Sequence, residues 1–250
     1  MEVHHHPHVG KKNVKEYILE GLMIFIAVSM GFAAESLREH LVNNEREHSY
    51  MVSFYNDLNN DQHDLPKLIS NIIQQQILPA KSLPVLFRKS TKNTEADSIY
   101  FFFRKLIRQQ GLRGFITDRT IEQIKNAGEM RLITNKQISD SLIDYYKDII
   151  FTEYLQQSLL SYKAKLWDNL PLVLKSEDYS RTIDSLNSVF IAPEHSYLLN
   201  TDPLNVNRLL IQVEEIGALS LTIKRSIEKV LRKNSSIKNL IEDQYHINKD

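Results

Sequence analysis

The chain contains no cysteine, which excludes disulfides, thiolate metal sites and thiol nucleophiles. It has only 7 glycines and 7 prolines in 250 residues, well below average usage of about 7% and 5%. Few turn-formers mean few turns, so the composition argues for long helices and against a many-stranded sandwich or barrel. There is no excess of either charge: 31 basic side chains balance 31 acidic ones. A neutral chain offers no electrostatic footprint for nucleic acid. No Gly-rich phosphate loop, His-Glu-x-x-His, Gly-x-Ser-x-Gly or Ser-x-x-Lys with its companions occurs. The chain is therefore read as a non-enzyme without a cofactor. Apolar residues at 42% and charged residues at 25% are those of a folded protein.

One strongly apolar run stands out. GLMIFIAVSMGFAA, Gly21 to Ala34, carries no charge, and the stretch back to Tyr17 adds only Glu20. A spanning helix needs roughly 20 mostly apolar residues, so residues 17–36 are expected to cross a bilayer. Two other readings compete. In a cleaved signal peptide, Lys11, Lys12 and Lys15 form the basic start and Gly31-Phe32-Ala33 the cleavage site. The good helix formers that follow, ESLREHLVNNEREHSYM, argue against it. In the core helix of a soluble protein, Gly31 and the near-terminal position are out of place. The three lysines before the span orient the N-terminus to the cytoplasm. The expected location is the inner membrane, single-pass, with the bulk of the chain periplasmic.

Within the span, Ala27, Gly31 and Ala34 form a small-residue stripe of the kind that lets helices approach closely in lipid. Glu20 sits at the bilayer edge, where an acidic group pairs or reaches the headgroups. These four are the candidates for self-association. The start, MEVHHHPH, holds four of the nine histidines, and a His-rich tract can hold a transition metal weakly. Asp57, Asp61 and Asp64 share one helix face with His63 nearby. They lack the spacing of a calcium loop, and such stripes are usually solvated. No metal site is assigned.

The remainder reads as helices. Residues 1–16 form a His/Lys-rich tail, 37–64 a helical stalk and 65–250 a helical soluble domain; the stalk gains an apolar face from Met51 onward. The pattern predicts a bend at Leu65-Pro66 and a loop bracketed by Pro79 and Pro84. A core helix opens at Thr94, with Asp97 in its first turn and Ile99 to Ile107 apolar nearly all round. A helix over Arg119–Ala127 stops at Gly128. Thr134 to Gln137 fits a capping box opening a long amphipathic helix to about Leu170, stopped by Pro171. A helix is expected near Tyr179–Val189. Asp202-Pro203 caps another, and a separate short helix covers Ile237–Tyr245. The fold class is all-α, bundle-like behind one transmembrane helix.

Two blocks resemble a known family. EVHHHPH…KKNVKEYILEGLMIFIAVSMGFAAESLREH with the following YNDLNND is one. The other is Thr120-Ile121…Asn126-Ala127-Gly128-Glu129-Met130-Arg131-Leu132-Ile133-Thr134-Asn135-Lys136, running to Tyr145-Tyr146. Both resemble an uncharacterised family of single-pass membrane proteins widespread in Bacteroidota. The resemblance covers roughly the first 65 residues and residues 115–150. It implies a native His-rich start and an anchor that is retained. It carries no activity, so no catalytic residue transfers. The Asn126–Asn135 block reads foremost as a helix–turn–helix corner, with Glu129, Arg131 and Asn135 the candidates for an interaction surface on it. The functional expectation is a membrane-anchored interaction or scaffold protein whose partners are the bilayer and a second copy or another envelope protein. The alternatives are a periplasmic ligand-binding or sensory domain acting through a partner and, behind it, an enzyme of unrecognised type.

Overall fold

Long apolar periodicities unbroken by glycine make long helices, and the computed structural model bears this out. It describes residues 13–89, 95–108, 114–184, 189–190 and 193–247; the His-rich start and Thr94 lie outside them. The helices are α1 (Val14–Ile72), α2 (Leu78–Lys89), α3 (Ala96–Ile107), α4 (Arg119–Ala127), α5 (Lys136–Asn169), α6 (Ser176–Ser180) and α7 (Pro203–Tyr245). A π-helical turn, Ile73–Ile77, joins α1 to α2, and 3₁₀ turns follow α4 and α5. The one ladder among the described residues pairs β1 (Ile183–Asp184) antiparallel with β2 (Val189–Phe190). The chain is all-α in class.

Two compact units divide it, Met1–Ser49 and Tyr50–Asp250. In the first, α1 exposes large apolar side chains on every face: Ile18, Leu22, Phe25, Val28 and Phe32 are all more than half exposed. By length and composition this helix can cross a membrane, with a window of mean hydropathy 1.9 and nothing buried. Ala27, Gly31, Ala34 and Glu20 lie in this segment and are exposed; a Cβ added at Gly31 would meet nothing within 4 Å.

The second unit is built on the remainder of α1 with α5 and α7. Pairs such as Lys238–Asn59, Asn234–Leu58 and Ser220–Gln76 run α7 antiparallel to α1 and the π turn that follows it. Gln212–Lys165, Thr152–Ser226 and Lys229–Asp148 run it antiparallel to α5. The core holds Met51, Phe54, Leu58, Leu65, Leu68 and Ile72 of α1, Leu142, Tyr145 and Leu166 of α5, and Val213, Ile223 and Ile241 of α7. Residues from Tyr50 onward thus belong to the bundle, so the stalk boundary expected at residue 64 falls inside it.

Proline placement departs from expectation. α1 continues through Pro66 to Ile72. Pro66 and Gln62, whose carbonyl it leaves without a helical partner, are both exposed, so water can satisfy that carbonyl. Pro79 and Pro84 lie within α2 and are buried rather than bracketing a loop. The π turn accommodates Pro79: Leu78 N–H bonds to Ile73 O, five residues back, and the missing N–H at Pro79 falls where the register has already slipped. The slip turns Gln76 into the core, where its Oε1 accepts from Ser220 Oγ at 2.8 Å. Next to it α2 and α7 approach closely. A Cβ at Gly217 would stand 2.8 Å from the Ala80 Cβ, so glycine is what allows the contact.

Other boundaries follow local grammar. Gly128 ends α4 at φ 68°, and Asp202 caps α7 by accepting from Asn205 N at 3.2 Å. Three expectations are corrected. The cap of α5 is Asn135, whose Oδ1 accepts from Ile138 N at 3.2 Å; Thr134 stands one residue outside, consistent with the stronger capping preference of Asn. Of the helix expected near Tyr179–Val189, the described residues form instead the end of the five-residue α6 and the short ladder, while residues 185–188 lie outside the described residues. The final helix is not separate: Ile237 and Ile241 are buried in the last turns of α7.

Candidate functional site

Asp57 and Asp61 of α1 meet Thr117, Thr120 and Tyr145 in the bundle. Asp57 and Asp61, one turn apart on α1, are each 1% exposed. A buried carboxylate requires donors, and these come from the entry to α4. Asp57 accepts from Thr120 N at 3.1 Å, from Thr120 Oγ1, and from Arg119 Nη2 at 3.2 Å. It therefore satisfies an N–H in the first turn of α4, the task usually done by the adjacent N-cap, here from a helix 63 residues away. Asp61 accepts from Thr117 N at 2.7 Å and from the Tyr145 hydroxyl at 2.6 Å. Asn234 Nδ2 adds a bond to Leu58 O at 2.9 Å.

Burial pushes the Asp61 carboxyl up to about 6, against the lowering effect of its Tyr145 and Thr117 hydrogen bonds. Burial likewise raises the Tyr145 and Tyr146 hydroxyls. The aspartates do not converge on an ion. Asp64 is partly exposed and pairs with Lys67 at 2.7 Å and His63 at 2.9 Å. Among the described residues no cluster of three His, Asp or Glu side chains could hold a metal.

The corner candidates separate in role. Glu129 accepts a hydrogen bond from Tyr50 Oη, and Asn135 caps α5. Both are committed to the fold. Arg131 is exposed and makes no ion pair among the described residues. It lies on the rim of a groove of about 430 Å³ with Lys125 and Lys147, over a floor that includes Ile121, Met130, Ile143 and Ile150. The expected α5 stripe is split here. Ile138, Leu142, Tyr145, Ile149 and Leu159 are buried, whereas Ile143, Ile150, Phe151 and Tyr154 are exposed on a second face.

A second concavity, about 540 Å³, lies where α5 ends, lined by Trp167, Leu170, Pro171, Leu174, Lys175, Tyr179 and Leu199. Trp167 meets Tyr179 edge-on at 5.7 Å, and the Arg104 guanidinium lies 3.8 Å over the Tyr179 ring. Tyr100 holds the flanking segments together: its hydroxyl donates to Tyr197 O at 2.9 Å and accepts from Lys175 N at 2.6 Å. Burial pushes that hydroxyl up to about 12. Ser196 N bonds to Asp97 Oδ1 at 2.8 Å, so Asp97 serves this loop as well as sitting in the first turn of α3. Lys163, 3% exposed, donates to Arg108 O at 2.7 Å, and burial lowers it to about 8. Sequence reasoning missed these groups because nothing local marks Arg104 or Lys163 as inward-facing. No protein family, curated protein or solved structure matches the chain.

Asp61 has a pH signature. A carboxyl raised in the folded state stabilises the fold fully below its unfolded value, and that contribution is lost as pH rises through about 6. Asp61→Asn keeps an acceptor for Thr117 N and cannot ionise. Between about pH 4 and about pH 7, the stability of the variant relative to the native chain is expected to rise by up to about 3 kcal/mol, at about 1.4 kcal/mol per pH unit. Urea denaturation in detergent micelles measures it; a difference independent of pH contradicts the assignment.

Proposed function

We propose that this protein is a membrane-anchored helical interaction protein. The N-terminal part of α1 crosses the inner membrane with the N-terminus in the cytoplasm, and the helical bundle works in the periplasm as a scaffold or docking module. The observation that carries this reading is the exposure, on all its faces, of a helical segment that carries no charge from Gly21 to Ala34. Bare to water, such a surface is unfavourable by about 25 cal/mol per Å²; lipid removes the penalty. The lysines ahead of it support the orientation. Ala27, Gly31 and Ala34, with Glu20, are the surface on which two anchors would meet within the bilayer.

The 540 Å³ cleft favours a second reading, a small-ligand domain that signals through a partner, because its volume and apolar, aromatic lining are those of ligand sites.

Two tests separate these. Under the first reading the full-length chain stays in the membrane pellet through alkaline carbonate extraction, with an intact mass that includes the apolar segment; release to the supernatant, or a product beginning near Ala34, contradicts it. Trp167 is the chain's single tryptophan, so its emission reports on the cleft. Saturable quenching by naphthoate supports the second reading, and quenching no different from that of free tryptophan contradicts it.

A further inference from the structure

We propose that the groove between α4 and α5 receives an acidic amphipathic helix of another protein. This deepens the reading of the chain as an interaction module by naming the chemistry of its partner. The groove's exposed apolar side chains on α5, Ile143 and Ile150, are seven residues apart, and Tyr154 continues the row four residues on. That is the spacing at which two helices laid side by side meet. From Ile143 to Tyr154 the row runs about 17 Å at 1.5 Å per residue, the length of three helical turns on the partner. At the α4 end, Ile121 and Met130 extend the floor.

The rim decides the partner's charge. The residues lining the groove that carry charge at neutral pH are all cations, Lys125, Arg131 and Lys147; Tyr146, which also lines it, is neutral, since burial raises its hydroxyl. Lys125 reaches Glu122 at 3.5 Å and Lys147 reaches Asp144 at 3.4 Å, both exposed neighbours on the same helix. Such pairs contribute about 0–1 kcal/mol, so both ammonium groups remain able to meet a new carboxylate. Arg131 has no ion pair among the described residues, and its planar guanidinium is suited to a bidentate carboxylate contact. An apolar floor inside a cationic rim is matched by a helix with an apolar stripe flanked by Asp or Glu. A second copy fits worse. A two-fold interface through this face would set the same three cations against one another, with like charges across the contact.

The experiment uses the full chain in detergent micelles. The probes are two fluorescein-labelled peptides of about 18 residues, five helical turns, with identical leucine faces, one flanked by Glu and the other by Lys. Fluorescence anisotropy is read against empty micelles. The Glu peptide is expected to bind about tenfold more tightly than the Lys peptide, with the difference collapsing at high salt. Arg131→Glu should weaken the Glu peptide and strengthen the Lys peptide, a reversal that misfolding does not produce. Ile150→Ser should weaken both with the circular-dichroism melt unchanged. Equal binding of the two peptides, no binding of either, or indifference to Arg131→Glu overturns the proposal. So does sedimentation showing the free chain to be a dimer that Ile150→Ser dissolves, which would assign the groove to a second copy. None of these outcomes bears on carbonate extraction, so failure of the docking proposal and failure of the anchor are read separately.

Discussion

Two carboxylates buried in an apolar bundle must be surrounded by donors, and the answer to that requirement organises the Tyr50–Asp250 unit. Asp57 and Asp61 on α1 find their donors in Thr117, Arg119 and Thr120 at the start of α4 and in Tyr145 of α5. One element thereby fixes three others. The start of α4 is held by a cap from across the bundle, Tyr145 is oriented on α5, and the adjoining Asn234 ties α7 to the Leu58 carbonyl. Buried polar groups of this kind are costly unless fully met. The arrangement therefore disfavours any slip of α1 against α5 by a turn, a selectivity that the leucines and isoleucines of the core do not supply alone.

That fixed corner sets where the exposed features lie. With Tyr145 and Tyr146 buried, the helical repeat places Ile143, Ile150 and Tyr154 on the outward face of α5. Glu129 is held by Tyr50 and Asn135 by the N-terminus of α5, which leaves Arg131 as the corner's outward-facing charge. The features assembled there are an apolar trough and a cationic rim on a helical backing.

Much of the architecture was legible wherever the signal is local. Gly128, Pro171 and the Asp202-Pro203 pair each act through the backbone within a turn of their own position, and the boundaries of α4, α5 and α7 fall where those residues place them. The prolines at 66, 79 and 84 misled because their cost is a few kcal/mol, which tertiary burial around Leu65, Leu68, Ala80 and Leu83 outweighs; for Pro79 the π turn also absorbs the missing donor. Asp57 and Asp61 read as a solvated stripe because their partners lie 56 to 84 residues on, beyond the reach of any periodicity. Of the corner residues, the sequence marked the place but not the division of labour: Glu129 is consumed by a contact with Tyr50, 79 residues away, and Asn135 takes the cap that Thr134 was expected to supply. The second apolar face of α5 was read as part of one amphipathic stripe, because periodicity does not tell core from exposed surface.

The proposed function requires α1 to separate two compartments. Because the chain contains no cysteine, single introduced thiols report topology without background. Lys15→Cys, ahead of the apolar segment, and Ser176→Cys, exposed in α6, are treated with a membrane-impermeant maleimide in intact spheroplasts. The expected result is rapid labelling at position 176 and labelling at position 15 only after the membrane is permeabilised. Equal protection of both sites, or labelling of position 15 alone, contradicts the anchor's orientation and with it the periplasmic placement of the bundle.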